Sequence, residues 1–212
     1  MQIIRTLTVV VACCLAPGVL ADTVITAARM VDTQRGRLVE SPAVLVRGNR
    51  VVEVGTQGEL AVPEGAEVIN LGDVTLLPGF MDMHVHLSSA PKTVPFLEAR
   101  LQSVPRRTVN AVRNARLNLM AGFTTVRDLG SSGVSVIEVR NGINAGDIEG
   151  PRIWASGPAL GITGGHCDNN YFPPELKVKN DGVADGPWAV RAKVREVIKL
   201  GANTIKFCAT GG

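Results

Sequence analysis

The sequence predicts a small all-β unit followed by an α/β unit that is built on a parallel sheet. Short runs of β-branched residues, separated by turn residues, fill most of residues 22–77. After Pro78-Gly79 the pattern changes to strands that alternate with helical stretches, which is typical of parallel βαβ units. The composition, with 45% hydrophobic and 19% charged residues, is that of a folded globular chain. The pattern alone leaves open whether the parallel strands close into a barrel or form a doubly wound sheet.

Residues 1–21 predict a secretory signal peptide. Arg5 supplies the positive charge of a short n-region, an apolar stretch follows from Thr6 to Leu15, and Val19-Leu20-Ala21 is a small-residue cleavage site. The apolar run falls short of the ~20 residues that span a bilayer. We therefore expect a periplasmic or secreted protein with no membrane attachment. A lower-ranked alternative is lipidation at Cys13, because Val10-Val11-Ala12-Cys13 resembles a lipobox.

The β unit over residues 22–78 contains one strong hairpin signal. Two β-branched runs, residues 43–46 and 51–54, are joined by a turn at Gly48-Asn49, where both residue types tolerate positive φ. Further candidate strands lie at residues 24–27 and 67–70.

The α/β unit over residues 79–212 contains four candidate strands, at residues 80–87, 124–128, 152–156 and 203–209. Helices are predicted between them, at residues 104–121, 134–145 and 187–200. Pro105 in the opening turn and Gly122 beyond the end mark the first helix. Asp185 is the predicted N-cap of the third helix, and Gly201 is its C-terminal stop.

Charge and cysteine content exclude several classes of function. The chain has 22 Lys and Arg against 19 Asp and Glu, and these charges are spread along the sequence, so no nucleic-acid partner is expected. The four cysteines lack the paired spacing of a structural zinc site. Removal of residues 1–21 would leave two of them, Cys167 and Cys208, and the sequence does not decide whether they pair.

The most informative motif is His84-Val85-His86 at the end of the first strand of the α/β unit. Residues i and i+2 of a strand project from one face, so both imidazoles can bind the same metal ion. An isolated His-x-His pattern is weak evidence, but two of the three histidines in the chain lie here. The carboxyl end of a parallel strand is also where sites are assembled in α/β proteins.

Lys206 lies on the fourth predicted strand, on the same face as Thr204 and Cys208. A buried ammonium group is costly and would repel a metal ion. If CO₂ adds to the amine, the resulting carbamate has two oxygens that can bridge two metal ions about 3.5–4 Å apart. The alternatives are a lysine that extends to solvent and one that pairs with a carboxylate.

Together these motifs resemble the amidohydrolase superfamily, and most closely its secreted imidazolonepropionase-like and Xaa-Pro dipeptidase-like branch. The similarity covers nearly the whole mature chain. It rests on a leading β segment and on residues 78–86, 121–128, 150–157, 163–168 and 201–212.

The resemblance implies a (β/α)₈ TIM barrel, of which this chain would hold strands 1–4, preceded by a small β-sandwich segment. It implies two Zn²⁺ ions per complete site, with His84 and His86 binding the more buried ion and carboxylated Lys206 bridging both. A metal-bridging hydroxide would attack the scissile carbonyl. The general base of such enzymes is an aspartate, expected beyond Gly212, so the chain is interpreted as the N-terminal half of the enzyme.

The resemblance also assigns two further residues. His166, in a Gly-rich loop, is a candidate substrate contact, with loop packing as the alternative. Asp128 ends the second strand at the same mouth, and it is expected to support the site or cap a helix rather than act in catalysis.

The function predicted from the resemblance is an exported, metal-dependent amidohydrolase that cleaves the C–N bonds of dipeptides or N-acyl amino acids. Its partner would be a small peptide or amide substrate, and the full-length protein could form a homo-oligomer. Two alternatives stay open: a cyclic-amide hydrolase of the imidazolonepropionase type, and an inactive truncated fragment.

Overall fold

The computed structural model describes residues 22–89 and 101–210. The predicted signal peptide and the lipobox cysteine, Cys13, lie outside these described residues. Across the described ranges, no helix has both the length and the apolar character needed to cross a membrane. The chain divides between Pro78 and Gly79 into two compact units.

The first unit consists of two small sheets. Its strands are β1 (Thr23–Thr26), β2 (Arg29–Asp32), β3 (Arg37–Glu40), β4 (Pro42–Arg47), β5 (Arg50–Thr56), β6 (Glu67–Asn70) and β7 (Thr75–Leu76). One sheet has the strand order β5-β4-β1-β6, and the other has the order β3-β2-β7. Val24, Ala43, Leu45 and Leu60 form the buried core of this unit.

Strands β4 and β5 form the predicted hairpin. They pair antiparallel up to Arg47 and Arg50, which leaves a two-residue turn at Gly48-Asn49. Gly48 adopts a φ of 57°, the left-handed conformation that a turn of this kind requires. The turn residues therefore set the register of this strand pair.

The second unit alternates strands and helices in the predicted order. Its elements are β8 (Phe80–Val85), α1 (Val104–Met120), β9 (Phe123–Asp128), α2 (Ser135–Ala145), β10 (Arg152–Ala155), a 3₁₀ turn (Pro174–Leu176) and α3 (Gly186–Lys199). The three strands are parallel and lie in the order β10-β9-β8. In the described part of the chain this sheet is open and does not form a closed barrel.

The core of the second unit lies where α1 and α2 pack on the sheet. Ala111 and Ala115 of α1 are fully buried and join Val126, Ile137 and Ile153 in one cluster. Small residues at i and i+4 let the helix approach the sheet closely. The helix therefore presents its alanines to the core, whereas Val109 on the same helix is 57% exposed.

The predicted strand over residues 203–209 is wrong as regular structure. Phe207 makes a single parallel bridge to Leu160, and no named strand forms here. The Asn203 side-chain oxygen accepts the Ala155 N–H at 2.7 Å, while the Asn203 N–H donates to the Ala155 carbonyl at 3.1 Å. Because a side chain takes a position that a backbone carbonyl would occupy, the ladder with β10 does not continue.

The predicted N-cap of α3, Asp185, is confirmed by position, but its carboxylate makes no capping hydrogen bond to the helix. It accepts the Thr163 N–H at 2.9 Å and the Thr163 hydroxyl at 2.6 Å, and these bonds lower the pKa of the carboxyl. Asp185 thus fastens the loop around Thr163 to the start of the helix.

Candidate functional site

The predicted site residues lie mainly around one edge of the parallel sheet. Because β8, β9 and β10 run parallel, their carboxyl ends meet at this edge. His84 and His86 are at the end of β8, and Asp128 ends β9. The backbone carbonyl of Asp128 accepts the N–H of Ser156, the residue after β10, at 3.1 Å.

The structure brings His84 and His86 together. Their ring centroids are 5.3 Å apart with an interplanar angle of 65°, and both residues are exposed at the strand end. The His84 N–H donates to the Asp82 carboxylate at 2.9 Å, next to a shift in the β8–β9 register. The alternation of the strand therefore places both imidazoles on one side.

Gly130 orients the His86 ring. Nδ1 of His86 lies 3.1 Å from the Gly130 carbonyl oxygen, which can only accept a hydrogen bond, so Nδ1 is the donor. In the neutral ring the other nitrogen, Nε2, then carries the lone pair. Metal-binding histidines commonly donate their second ring N–H to a carbonyl in this way. The contact with Gly130 therefore leaves Nε2 as the nitrogen of His86 that can bind a metal ion.

Asp128 and Asn114 hold the chain that follows His86. The fully buried Asp128 carboxylate accepts the Leu87 N–H at 2.7 Å. The Asn114 side-chain amide donates to the carbonyls of Leu87 and Ser89, each at 2.7 Å. Burial raises the pKa of Asp128 to about 6, although the Leu87 N–H opposes the rise. Asp128 supports the turn at the strand end and caps no helix.

Asn114 is a supporting residue that sequence reasoning missed. It lies on α1, 27 residues from Leu87, so no local spacing connects the two. In the sequence it is only a polar residue next to Ala115, an alanine that the structure buries in the core.

Lys206 lies on a separate segment after α3 and is half-buried. Its backbone carbonyl accepts the Leu160 N–H at 2.8 Å, and the Cys208 N–H donates to the Leu160 carbonyl at 2.8 Å. A disulfide joins Cys208 to Cys167, with a Cα–Cα distance of 5.9 Å. The two cysteines that the sequence left undecided are thus paired in the structure.

His166 is exposed in the Gly-rich loop, next to Cys167. The loop is ordered by Asp168, whose carboxylate accepts the N–H groups of Gly164 at 2.9 Å and Asn169 at 2.7 Å. The Asn180 side chain donates to the Cys167 carbonyl at 2.6 Å. His166 therefore extends from a firmly held loop.

A cavity of about 250 Å³ opens beside the histidines. Gly130, which binds His86, lines it, as do Ser88 and Ser131 at the ends of β8 and β9. Arg107 and Asp181 bring one cationic and one anionic group to its wall, and the Arg107 guanidinium donates to the Ser132 hydroxyl. A small space with polar walls suits a small polar molecule.

The described residues provide part of a metal-binding donor set. Within 22–89 and 101–210, no group of three or more His, Cys, Asp or Glu side chains gathers where it could hold a metal ion. His84 and His86 nevertheless match the chemistry of zinc, which binds neutral imidazole nitrogens. The two imidazoles therefore fit a metal ion that takes its remaining ligands from other side chains.

Comparison with known proteins places this arrangement among hydrolases. A sequence model described as the amidohydrolase family matches residues 75–212. Ochratoxinase of Aspergillus niger is 33% identical over 153 residues, which cover 65% of this chain and 31% of that protein. Imidazolonepropionase of Pseudomonas syringae pv. tomato is 29% identical over 128 residues, covering 54% of this chain and 32% of that protein.

Solved structures resemble the chain over most of its length. A Xaa-Pro dipeptidase with bound methionine in the active site is 33% identical, with a TM-score of 0.74, and the match covers 91% of this chain and 48% of the dipeptidase. A. niger ochratoxinase is 25% identical, with a TM-score of 0.75, over 91% of this chain and 47% of that structure. The chain spans about a third of the curated relatives and about half of the solved ones.

Proposed function

Because the chain belongs to the amidohydrolase family, a family of hydrolases that is generally metal-dependent, we propose that its protein is an exported zinc-dependent amide hydrolase. Its substrates are dipeptides or N-acyl amino acids. The observation that carries the proposal is the paired imidazoles of His84 and His86, with Nδ1 of His86 occupied by the Gly130 carbonyl. This arrangement is the one expected of two metal ligands.

In the proposal, His84 and His86 would hold one zinc ion, and Lys206, once carboxylated, would be the ligand shared with a second. Bound zinc supplies a Lewis acid and lowers the pKa of water. Lys206 is half-buried and follows the last described helix, where the chain returns to Leu160 at the end of the sheet. Asp128 and Asn114 keep the histidines in place through their bonds to the turn after β8.

The volume and the polar lining of the cavity next to His86 suit a small substrate. Arg107 on its wall is a cation that can attract the carboxylate of an amino acid or peptide, and hydroxyl groups such as that of Ser131 can donate to the same group. His166 is proposed as a further substrate contact from the neighbouring loop. The relatives support this substrate class, since one of them is named as a Xaa-Pro dipeptidase.

Two features of the chain support export. Residues 1–21 have the pattern of a signal peptide, and the disulfide between Cys167 and Cys208 is of the kind that persists in oxidising compartments.

A second candidate function is hydrolysis of a cyclic amide, which the similarity to imidazolonepropionase favours.

The experiment is a substrate panel with the full-length, zinc-loaded protein. Dipeptides, N-acyl amino acids and a cyclic amide are offered in parallel, and release of the free amino acid or opening of the ring is measured. We expect cleavage of the linear amides that stops when a chelator removes zinc. Cleavage of the cyclic amide alone would favour the second candidate, and no zinc-dependent cleavage of any amide would overturn the proposal.

A further inference from the structure

We propose that the Cys167–Cys208 disulfide is the device that positions Lys206, an inference that rests on the proposed function of Lys206 as a metal ligand. Cys208 follows Lys206 by two residues, and the crosslink fastens it to the Gly-rich loop. The two cysteines are positioning residues, because they act through Lys206 and not on the substrate.

Few other contacts hold the Lys206 segment. It forms no regular strand, and its backbone is tied by hydrogen bonds between Asn203 and Ala155 and by two hydrogen bonds to Leu160, each 2.8 Å long. Its neighbouring apolar side chains bury only part of their surface, since Ile205 is 36% exposed and Phe207 is 67% exposed. The crosslink therefore adds a covalent constraint to these hydrogen bonds, two positions from Lys206.

The other end of the crosslink is a firm anchor. The Cys167 carbonyl accepts the Asn180 amide at 2.6 Å, and Asp168 binds the backbone N–H of Gly164 at 2.9 Å. Gly161 packs against Cys167 so closely that a Cβ at Gly161 would lie 3.1 Å from the Cys167 Cβ. A loop with this many contacts can fix Cys208, and Cys208 in turn restricts Lys206.

The crosslink matters because a bridging ligand has to meet two ions at once. A carbamate that bridges metal ions about 3.5–4 Å apart tolerates little displacement of its lysine. In the proposed site the first ion would still be held by His84 and His86 if Lys206 moved, whereas Lys206 is the only ligand proposed for the second ion among the described residues. Loss of the disulfide should thus weaken binding of the second zinc ion much more than binding of the first.

The test compares the full-length wild type with the double variant Cys167→Ala/Cys208→Ala, which keeps both positions small and apolar. Zinc binding is measured by titration, and amide hydrogen exchange at residue 208 is measured in the metal-free proteins. We expect the second zinc ion to bind at least tenfold more weakly, and the amide hydrogen of residue 208 to exchange at least tenfold faster. The first zinc ion should be retained.

A second measurement covers the case in which the variant does not fold. A phosphine reduces the disulfide of the folded wild type, yielding two thiols and, with one water, the phosphine oxide. The same loss of the second zinc ion and the same faster exchange are expected.

Three results overturn the inference or separate it from the proposed function. Unchanged zinc binding and exchange without the disulfide would overturn it, as would peptide mapping that finds both cysteines as free thiols in protein purified from an oxidising compartment. If the wild type binds no zinc, the proposed function fails, and with it the role of the crosslink in metal binding. The exchange measurement then still reports whether the disulfide restrains the segment.

Discussion

The two parts of the candidate metal site are held in different ways. His84 and His86 lie at the end of a parallel strand whose following turn is bound by Asp128 and Asn114. Lys206 lies on an irregular segment that is held by hydrogen bonds to Ala155 and Leu160 and by one disulfide. The first part is supported by buried polar contacts within the core of the unit, and the second by a covalent link across its surface.

Because of this difference, substitutions in the two parts should affect different quantities, the free energy of unfolding in one and metal binding in the other. Substitutions near the histidines should change the free energy of unfolding, because the supporting carboxylate of Asp128 is fully buried. Changes at the Lys206 segment should alter metal binding with a smaller effect on folding, because its side chains are only partly buried.

The largest expected effect is that of His84→Ala on activity. Removal of one imidazole should release zinc and lower amide hydrolysis by more than about 100-fold, the upper range for residues that only support a ligand. Zinc content by atomic absorption and kcat/KM are measured together. His166→Ala is the control for metal content, since it should keep its zinc. Unchanged zinc in His84→Ala would remove His84 from the ligand set.

The next effect concerns pH and the buried Asp128. Its pKa of about 6 in the folded state exceeds the ordinary aspartate value of 3.8, so between these values the unfolded chain releases a proton that the folded chain keeps. The metal-free wild type should therefore lose stability relative to Asp128→Asn as pH rises from about 4 to 6, by up to about 3 kcal/mol. Urea unfolding across this range measures the difference, and a parallel pH dependence of both proteins would contradict it.

Asp128→Ala tests the hydrogen bond itself. Measured near pH 4, where ionisation of Asp128 matters little, the change leaves the Leu87 N–H without its acceptor and should cost about 2 kcal/mol of stability. Asp128→Asn retains an acceptor oxygen and is the matched control, with an expected loss of less than half as much. Equal losses in the two variants would show that the bond to Leu87 is not what the carboxyl contributes.

The smallest effect is expected for Asn114→Ala. The change removes two hydrogen bonds to the turn after His86, and the better helix propensity of alanine offsets part of the loss, so about 1 kcal/mol should remain. Asn118→Ala is the control on the same helix, because the Asn118 amide only binds the Asn114 carbonyl one turn earlier. Equal losses of thermal stability in the two variants would contradict the supporting role assigned to Asn114.

Local pattern was enough to predict much of the frame around the histidines. Period-two alternation and Pro78-Gly79 place β8, and the same alternation puts His84 and His86 side by side. The Gly48-Asn49 turn predicts its hairpin for a similar reason, since the turn residues alone require the backbone conformation. These features depend on residues that are close in sequence.

The supports of the site could not be predicted, because they join distant residues. Asp128 and Leu87 are 41 positions apart, as are Cys167 and Cys208, and no local spacing predicts either contact. The sequence pattern predicts a fourth strand over residues 203–209, but the Asn203 side chain takes a ladder position at Ala155. Whether a polar side chain competes with the backbone depends on the tertiary structure around it.

The most direct test of the metal site is anomalous diffraction from crystals of the zinc-loaded full-length protein, recorded on both sides of the zinc absorption edge. We expect two zinc peaks, one of them about 2.0–2.1 Å from an imidazole nitrogen of each of His84 and His86. The carbamate should appear as extra density at Nζ of Lys206, next to the second peak. Zinc peaks elsewhere, with none at the two imidazoles, would contradict the assignment of His84 and His86 as ligands.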